Sequence, residues 1–247
     1  MKSLFKNSSY VLRLLVLLSL IMLLIEGSGA KGQILPPDVG IVTQLSGEAT
    51  YWNESYQRTP EKAEAFMKIR RGDYFKIPAG GGIQLVYFEN GRQETWKGPA
   101  SFMVGEVQSR VEKGREVPGQ PGVVMLSTEA SQGMRRIPVL LRRARVSWSG
   151  GGVMVRGVPG VSAKPVAPTK EEQAEIAMAK ETYQKLREQA KPDDITPELT
   201  LLGVLADYEQ YEEMEQVIKD AMKIHPDHQV LKELDGWVKT EKRSRLK

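Results

Sequence analysis

The chain holds two histidines, His225 and His228, on either side of a Pro226-Asp227 turn, and no cysteine. No Cys-bearing or carboxylate-rich partner stands at ligand spacing from them, so a metal centre is not expected. Nor do two histidines in an interhelix break supply a Ser-His-Asp arrangement, which needs the imidazole held beside a nucleophile by a third group. Gly80-Gly81-Gly82 is glycine-rich but lacks the Gly-Lys-Ser/Thr ending that puts a lysine on phosphate and a hydroxyl on magnesium. The paired carboxylates Glu171-Glu172, Asp193-Asp194 and Glu212-Glu213 fall in helix first turns or linkers, where they serve capping and the helix dipole. No catalytic residue, cofactor or metal site is therefore expected, and the chain reads as a non-enzyme. The densest positive cluster is Arg135, Arg136, Arg142, Arg143 and Arg145. Such a cluster suits a polyanion or an anionic lipid surface. The simpler reading is an exposed strand edge kept soluble by charge, because these arginines flank Ile137–Leu141, read as a strand.

The charge behind these residues is uneven. Residues 31–164 carry 19 basic and 12 acidic side chains, and residues 165–247 carry 13 and 18. A basic front and an acidic back point to an anionic surface or acidic partner for the former. No nucleic-acid partner is expected. Lys2, Lys6 and Arg13 precede an apolar run, Leu14–Ile25, broken only by Ser19, and Ser28 and Ala30 offer small residues for cleavage. Residues 1–30 thus read as a signal peptide cut after Ala30. The run is short of the about 20 residues that cross a bilayer. The chain is expected to be exported and periplasmic, touching the membrane only if that segment stays uncut as an inner-membrane anchor.

The next stretch, residues 31–156, reads as β-rich. Ile41–Trp52 is a strand broken at Gly47, and Tyr74–Ile77 is a short strand after the Gly72-Asp73 turn. Asn53–Ala65 reads as a loop with a short helix near Pro60–Ala65. In Ile83–Phe88, one face carries Ile83, Leu85 and Tyr87 and the other Gln84, Val86 and Phe88, which suggests a strand covered on both faces. Asn90-Gly91 then predicts a type I′ hairpin turn with positive φ at both residues. Gly72, Asp73, Asn90 and Gly91 are read as structural turn residues. Val123–Leu126, Ile137–Leu141, Ala144–Trp148 and Val153–Val155 are further strand candidates. Many short strands with Gly/Pro punctuation imply an antiparallel sandwich or rolled sheet. Trp52, Trp96 and Trp148 are read as core or sheet-face residues before ligand platforms.

Residues 40–107 resemble the FecR-like domain of bacterial envelope proteins. The resemblance rests on Val42, Leu45 and Gly47, Ile69 with Gly72-Asp73, Gly80–Gly82, Leu85–Phe88, Asn90-Gly91, and Trp96 with Gly98-Pro99. It implies an envelope β-domain. The best-known members also carry a cytoplasmic sigma-factor-binding head. The dozen residues before the apolar run cannot build one, so that role is not expected.

A Pro/Gly linker, residues 157–168, separates this half from a helical domain at 169–247. Thr169 and Glu172 form a capping box. The stripe Ile176, Ala179, Tyr183, Leu186 and Ala190 defines one face of the first helix. Thr196 is read as the cap of the second helix, with Pro197 at its first position. Gly203 lets a neighbour approach closely. Residues 197–226 resemble one tetratricopeptide unit through Leu202-Gly203, Tyr211, Ala221 and Pro226, although the glycine of the inter-helix turn is missing. That resemblance implies a small bundle holding a protein partner through residues 169–247. The fold class expected is thus α+β in two segregated parts, an antiparallel sandwich or rolled sheet and then a small helical bundle with tetratricopeptide-like packing. The function expected is envelope scaffolding or binding. The alternatives are a module for cell-wall polymer or carbohydrate using Trp52 or Trp96, and a periplasmic signal-relay subunit that senses a small molecule.

Overall fold

The computed structural model describes residues 35–111, 120–148 and 168–245. The signal segment 1–30, the strand candidate Val153–Val155 and nearly all of the 157–168 linker lie outside them. No helix among the described residues is long and apolar enough to cross a membrane.

The strands are β1 Asp38–Ser46, β2 Thr50–Asn53, β3 Gln57–Lys62, β4 Lys68–Arg70, β5 Tyr74–Ile77, β6 Gly82–Tyr87, β7 Arg92–Lys97, β8 Ala100–Val104, β9 Ser109–Arg110 and β10 Gly122–Met125. They form two five-stranded antiparallel sheets. The first runs β10-β7-β6-β1-β4 and the second β3-β2-β5-β8-β9. The helices follow as α1 Thr128–Met134, α2 Ile137–Trp148, α3 Lys170–Gln189, α4 Thr196–Asp207, α5 Tyr211–Ile224 and α6 Gln229–Arg245. The fold is α+β, with strands and helices segregated along the chain.

Alternation explains the layering. Ile83, Leu85 and Tyr87 of β6 meet Phe75, Trp96 and Phe102 in the core between the sheets. On the opposite face Val86, with Phe88 just beyond the strand, joins Ile41 and Phe66 in a second core shared with Met134, Ile137, Leu140 and the later helices. β6 is apolar-packed on both faces as its pattern predicts, by a sheet on one side and, at Val86, by helices on the other.

Four expectations are corrected. The loop expected over Asn53–Ala65 contains β3, an exposed strand paired with β2. Being at an edge, β3 can carry Pro60 and needs no alternation of apolar residues. Ile137–Leu141 and Ala144–Trp148 are not strands but one helix, α2, because Ile137, Leu140, Leu141 and Ala144 are buried at helical spacing. The helical layer therefore begins at Thr128, ahead of the boundary expected at 156. At Asn90-Gly91 only Gly91 has positive φ, +68°, so the tip is not a type I′ turn. Its amide instead donates to the Tyr87 carbonyl, 3.1 Å, closing a longer loop. Asn90 accepts from the Arg92 amide through Oδ1. A Cβ on Gly91 would lie 2.4 Å from the Leu126 carbonyl oxygen, so the tip needs glycine for room as well as for φ. Finally, Thr196 does not cap α4. It is the first helical residue, Ile195 stands at the N-cap without a side-chain capping bond, and Asp194 Oδ1 accepts from the Thr196 amide at 2.8 Å.

The capping box of α3 is present, with Thr169 and Glu172 each bonded to the other's backbone amide. At the α4–α5 turn, where a tetratricopeptide unit has glycine, Glu209 takes φ +54°. Gly203 admits the α1–α2 junction, and a Cβ there would stand 2.8 Å from Cβ of Arg136. Gly203→Ala should therefore lower stability by about 1–2 kcal/mol despite the better helix propensity of alanine. Urea unfolding checks this, and a gain in stability would show that the junction yields freely.

Candidate binding face

The first sheet carries helices on its outer face. The outer face of the second sheet is set by strand register. Tyr51, Phe75 and Phe102 point into the sandwich core, so the residues between them point out. Two cross-strand rows result. One is Trp52–Tyr74–Met103–Arg110 and the other Lys62–Thr50–Lys76–Ser101. Trp52 and Tyr74 are half-buried and stack at 5.3 Å between ring centres, with planes 10° apart. Lys62, Lys76 and Arg110 are exposed. These eight positions thus hold three cations and no carboxylate beside a paired aromatic surface. Such a face can take an extended anionic chain, its charges on the cations and its apolar parts against the rings.

The end of this face is locked by Asp73, which is fully buried. Its Oδ1 accepts from Asn53 Nδ2 at 2.8 Å and from the Tyr56 hydroxyl at 2.5 Å, and its Oδ2 from the Arg70 amide at 2.7 Å. Burial first, then the hydrogen bond to Asp73, raises the Tyr56 pKa well above that of a free phenol. Gly72 takes φ +87° beside it. The Gly72-Asp73 pair is thus a turn, as expected, and Asp73 is also the hub tying β2 and the loop after it to the start of β5.

The arginine cluster is spread along helices rather than along a strand edge. Arg136 bonds Glu175 at 2.6 Å and Asp207 at 2.9 Å. Arg143 lies 3.6 Å from Asp207 and Arg145 lies 3.5 Å from Glu233. Arg135 covers the Phe88 ring at 4.8 Å. Arg142 is exposed and lines a depression with Tyr51, Phe66 and Leu141. The structure does not gather the five into one anion site, and three of them meet carboxylates of later helices.

Trp96 is buried against Phe102 at 4.4 Å, and its ring nitrogen donates to Glu94. It belongs to the core and offers no ligand platform. The side chain of Trp148 is outside the described residues. His225 and His228 stand 6.4 Å apart, and no group of three or more His, Cys, Asp or Glu suited to a metal occurs among the described residues. Sequence reading had Trp52 but missed Tyr74, Lys62, Lys76 and Arg110. The alternation of Tyr74-Phe75-Lys76-Ile77 was a signal, but the register that aligns it with β2 was not readable.

Compared with family models, curated proteins and solved structures, the chain matches none.

Proposed function

We propose that the chain is a non-enzymatic, exported protein of the cell envelope that binds or scaffolds. The outer face of its second sheet takes an anionic cell-wall polymer, and its helical layer holds an envelope protein. The observation that carries this reading is the outer face of the second sheet, with its Trp52–Tyr74 stack and three neighbouring cations. Export is supported by the basic, apolar and small-residue order of residues 1–30. The helical role rests on the tetratricopeptide resemblance and on the acidic balance of residues 165–247.

Co-sedimentation of the protein with insoluble anionic wall polymer tests the first part. Retention should fall as salt rises, because screening weakens contacts between exposed charges. Trp52→Ala and Lys76→Glu should each weaken it about tenfold, the scale of a central contact. Arg142→Ala with Arg143→Ala should leave it unchanged. Retention that ignores both salt and the sheet substitutions sinks the reading, and retention lost only in the arginine double variant moves the contact to α2.

A further inference from the structure

A cleft runs between the first sheet and the helical layer. It has two lobes, of about 750 and about 670 Å³, which share Gln44, Gln84, Lys191 and Asp194. This is the size range of small-molecule sites. Its floor is the part of the helix-facing sheet that the helices leave open. There Gln44, Gln84 and Thr95 are register neighbours across β1, β6 and β7, and Gln93 continues the floor into the second lobe.

Three observations fix the ligand chemistry. The floor is neutral and hydrogen-bonding in both senses, since each carboxamide donates and accepts. Gln84 is held by the Thr43 hydroxyl, which donates to its Oε1 at 2.8 Å, whereas Gln44 and Gln93 have no side-chain hydrogen bond among the described residues. Second, two residues that line the cleft each hold a buried polar atom with no hydrogen-bond partner among the described residues, Thr196 Oγ1 at the second lobe and His228 Nδ1 at the first. Thr196 is only 3% exposed. An orphaned buried group costs about 1–3 kcal/mol, so a partner supplied from the cleft is favoured. Third, the charges lining the larger lobe nearly cancel, with Lys97, Arg145 and Lys191 against Glu64, Asp193, Asp194 and Glu233. A charged ligand gains little there. A row of hydroxyls, each able to donate and accept, meets every one of these groups.

We propose that this cleft binds a neutral polyhydroxylated ligand, a short oligosaccharide, lying over Gln44 and Gln84 with hydroxyls on Thr196 and His228. The site is separate from the aromatic and cationic face of the second sheet, and it does not depend on that face binding anything.

Calorimetric titration of the whole protein with maltotriose, cellotriose and chitotriose tests it, with saturation-transfer NMR for weak binding. At least one sugar should bind saturably at millimolar concentration or below. Gln44→Leu should weaken binding about tenfold, the loss of one or two hydrogen bonds. Thr196→Val is the discriminating variant. It removes an unpartnered hydroxyl, so the free protein should melt at the same temperature or higher while the sugar binds more weakly. A residue with only a structural role would move the melting temperature and leave affinity alone. Trp52→Ala should leave sugar affinity unchanged. No binding by any of the three sugars, affinity untouched by Gln44→Leu and Thr196→Val, or affinity lost with Trp52→Ala would each overturn the proposal.

Discussion

Asp73→Ala should destabilise the protein by about 3–5 kcal/mol, since it takes the acceptor from three donors and each one left unsatisfied in a buried place costs about 1–3 kcal/mol. The carboxylate is inaccessible to solvent and accepts from Asn53, Tyr56 and the Arg70 amide. Removing it leaves the Asn53 amide, itself 2% exposed, with only a long 3.5 Å bond to the Arg71 carbonyl, and strands a backbone donor in a space that alanine cannot fill. Urea unfolding followed by circular dichroism gives the difference. Tyr56→Phe removes only one donor and should cost about 1 kcal/mol. It also carries a pH signature. The Tyr56 pKa is raised above the 10.0 of an ordinary phenol, by burial and then by the hydrogen bond to Asp73. The folded state therefore holds the phenolic proton more tightly than the unfolded chain does. The resulting stability is complete below pH 10 and is lost as pH rises beyond it. The difference between wild type and Tyr56→Phe should accordingly shrink in strong alkali. A small effect of Asp73→Ala would mean that the turn at Gly72 alone holds this corner.

What was legible follows from how local each signal is. The capping box at Thr169, the stripe of α3 from Ile176 to Leu186 and the two-faced pattern of β6 are written within a few residues and stand in the structure, whereas Ala190 falls just past the helix end. The tip at Asn90-Gly91 was legible as a turn but not as a type, because Leu126 and Tyr87, remote from the dipeptide, decide its shape. Helix α2 reads as two strands although Ile137, Leu140, Leu141 and Ala144 carry a helical period. The β-branched Val139 and Val146 and the flanking arginines resemble a guarded edge strand when spacing is not counted first. Of the sheet face only Trp52 and the alternation of Tyr74–Ile77 were legible, and of the cleft nothing was. Trp52 meets Tyr74, and Gln44 meets Gln84, only through strand pairing across tens of residues. Composition can list such residues without saying which face they share.

The arginines show the same limit from the side of charge. Five cations within eleven positions suggest a surface for an anion when seen along the chain. In space, Arg136 is a tie between the α1–α2 junction, α3 and α4, through Glu175 and Asp207, and its stem packs against Gly203. The basic front and the acidic back of the sequence are thus partly satisfied by each other. Among the described residues, the second sheet carries positive charge in rows, at Lys62, Lys76 and Arg110, that contain no acid.

Phe88→Ala should cost about 3–5 kcal/mol and lower one unfolding transition of the whole molecule rather than one of two. The chain reads as a β-domain, a linker and a helical domain, which would melt independently. The packing denies this. Phe88 is 3% exposed and sits in the core shared with Met134, Ile137, Leu140 and the later helices. Its carbonyl accepts from Ser131 Oγ at 3.2 Å and from Gln132 Nε2 at 3.3 Å, and Arg135 covers its ring. Truncation removes the ring from all of these elements at once. Tertiary signal from the buried Trp96 and helical signal at the backbone should therefore fall together, and both midpoints should shift by the same amount in the variant. If only the helical signal moves while the β-core melts where it did, the two halves are separate folding units and the shared core is mere contact.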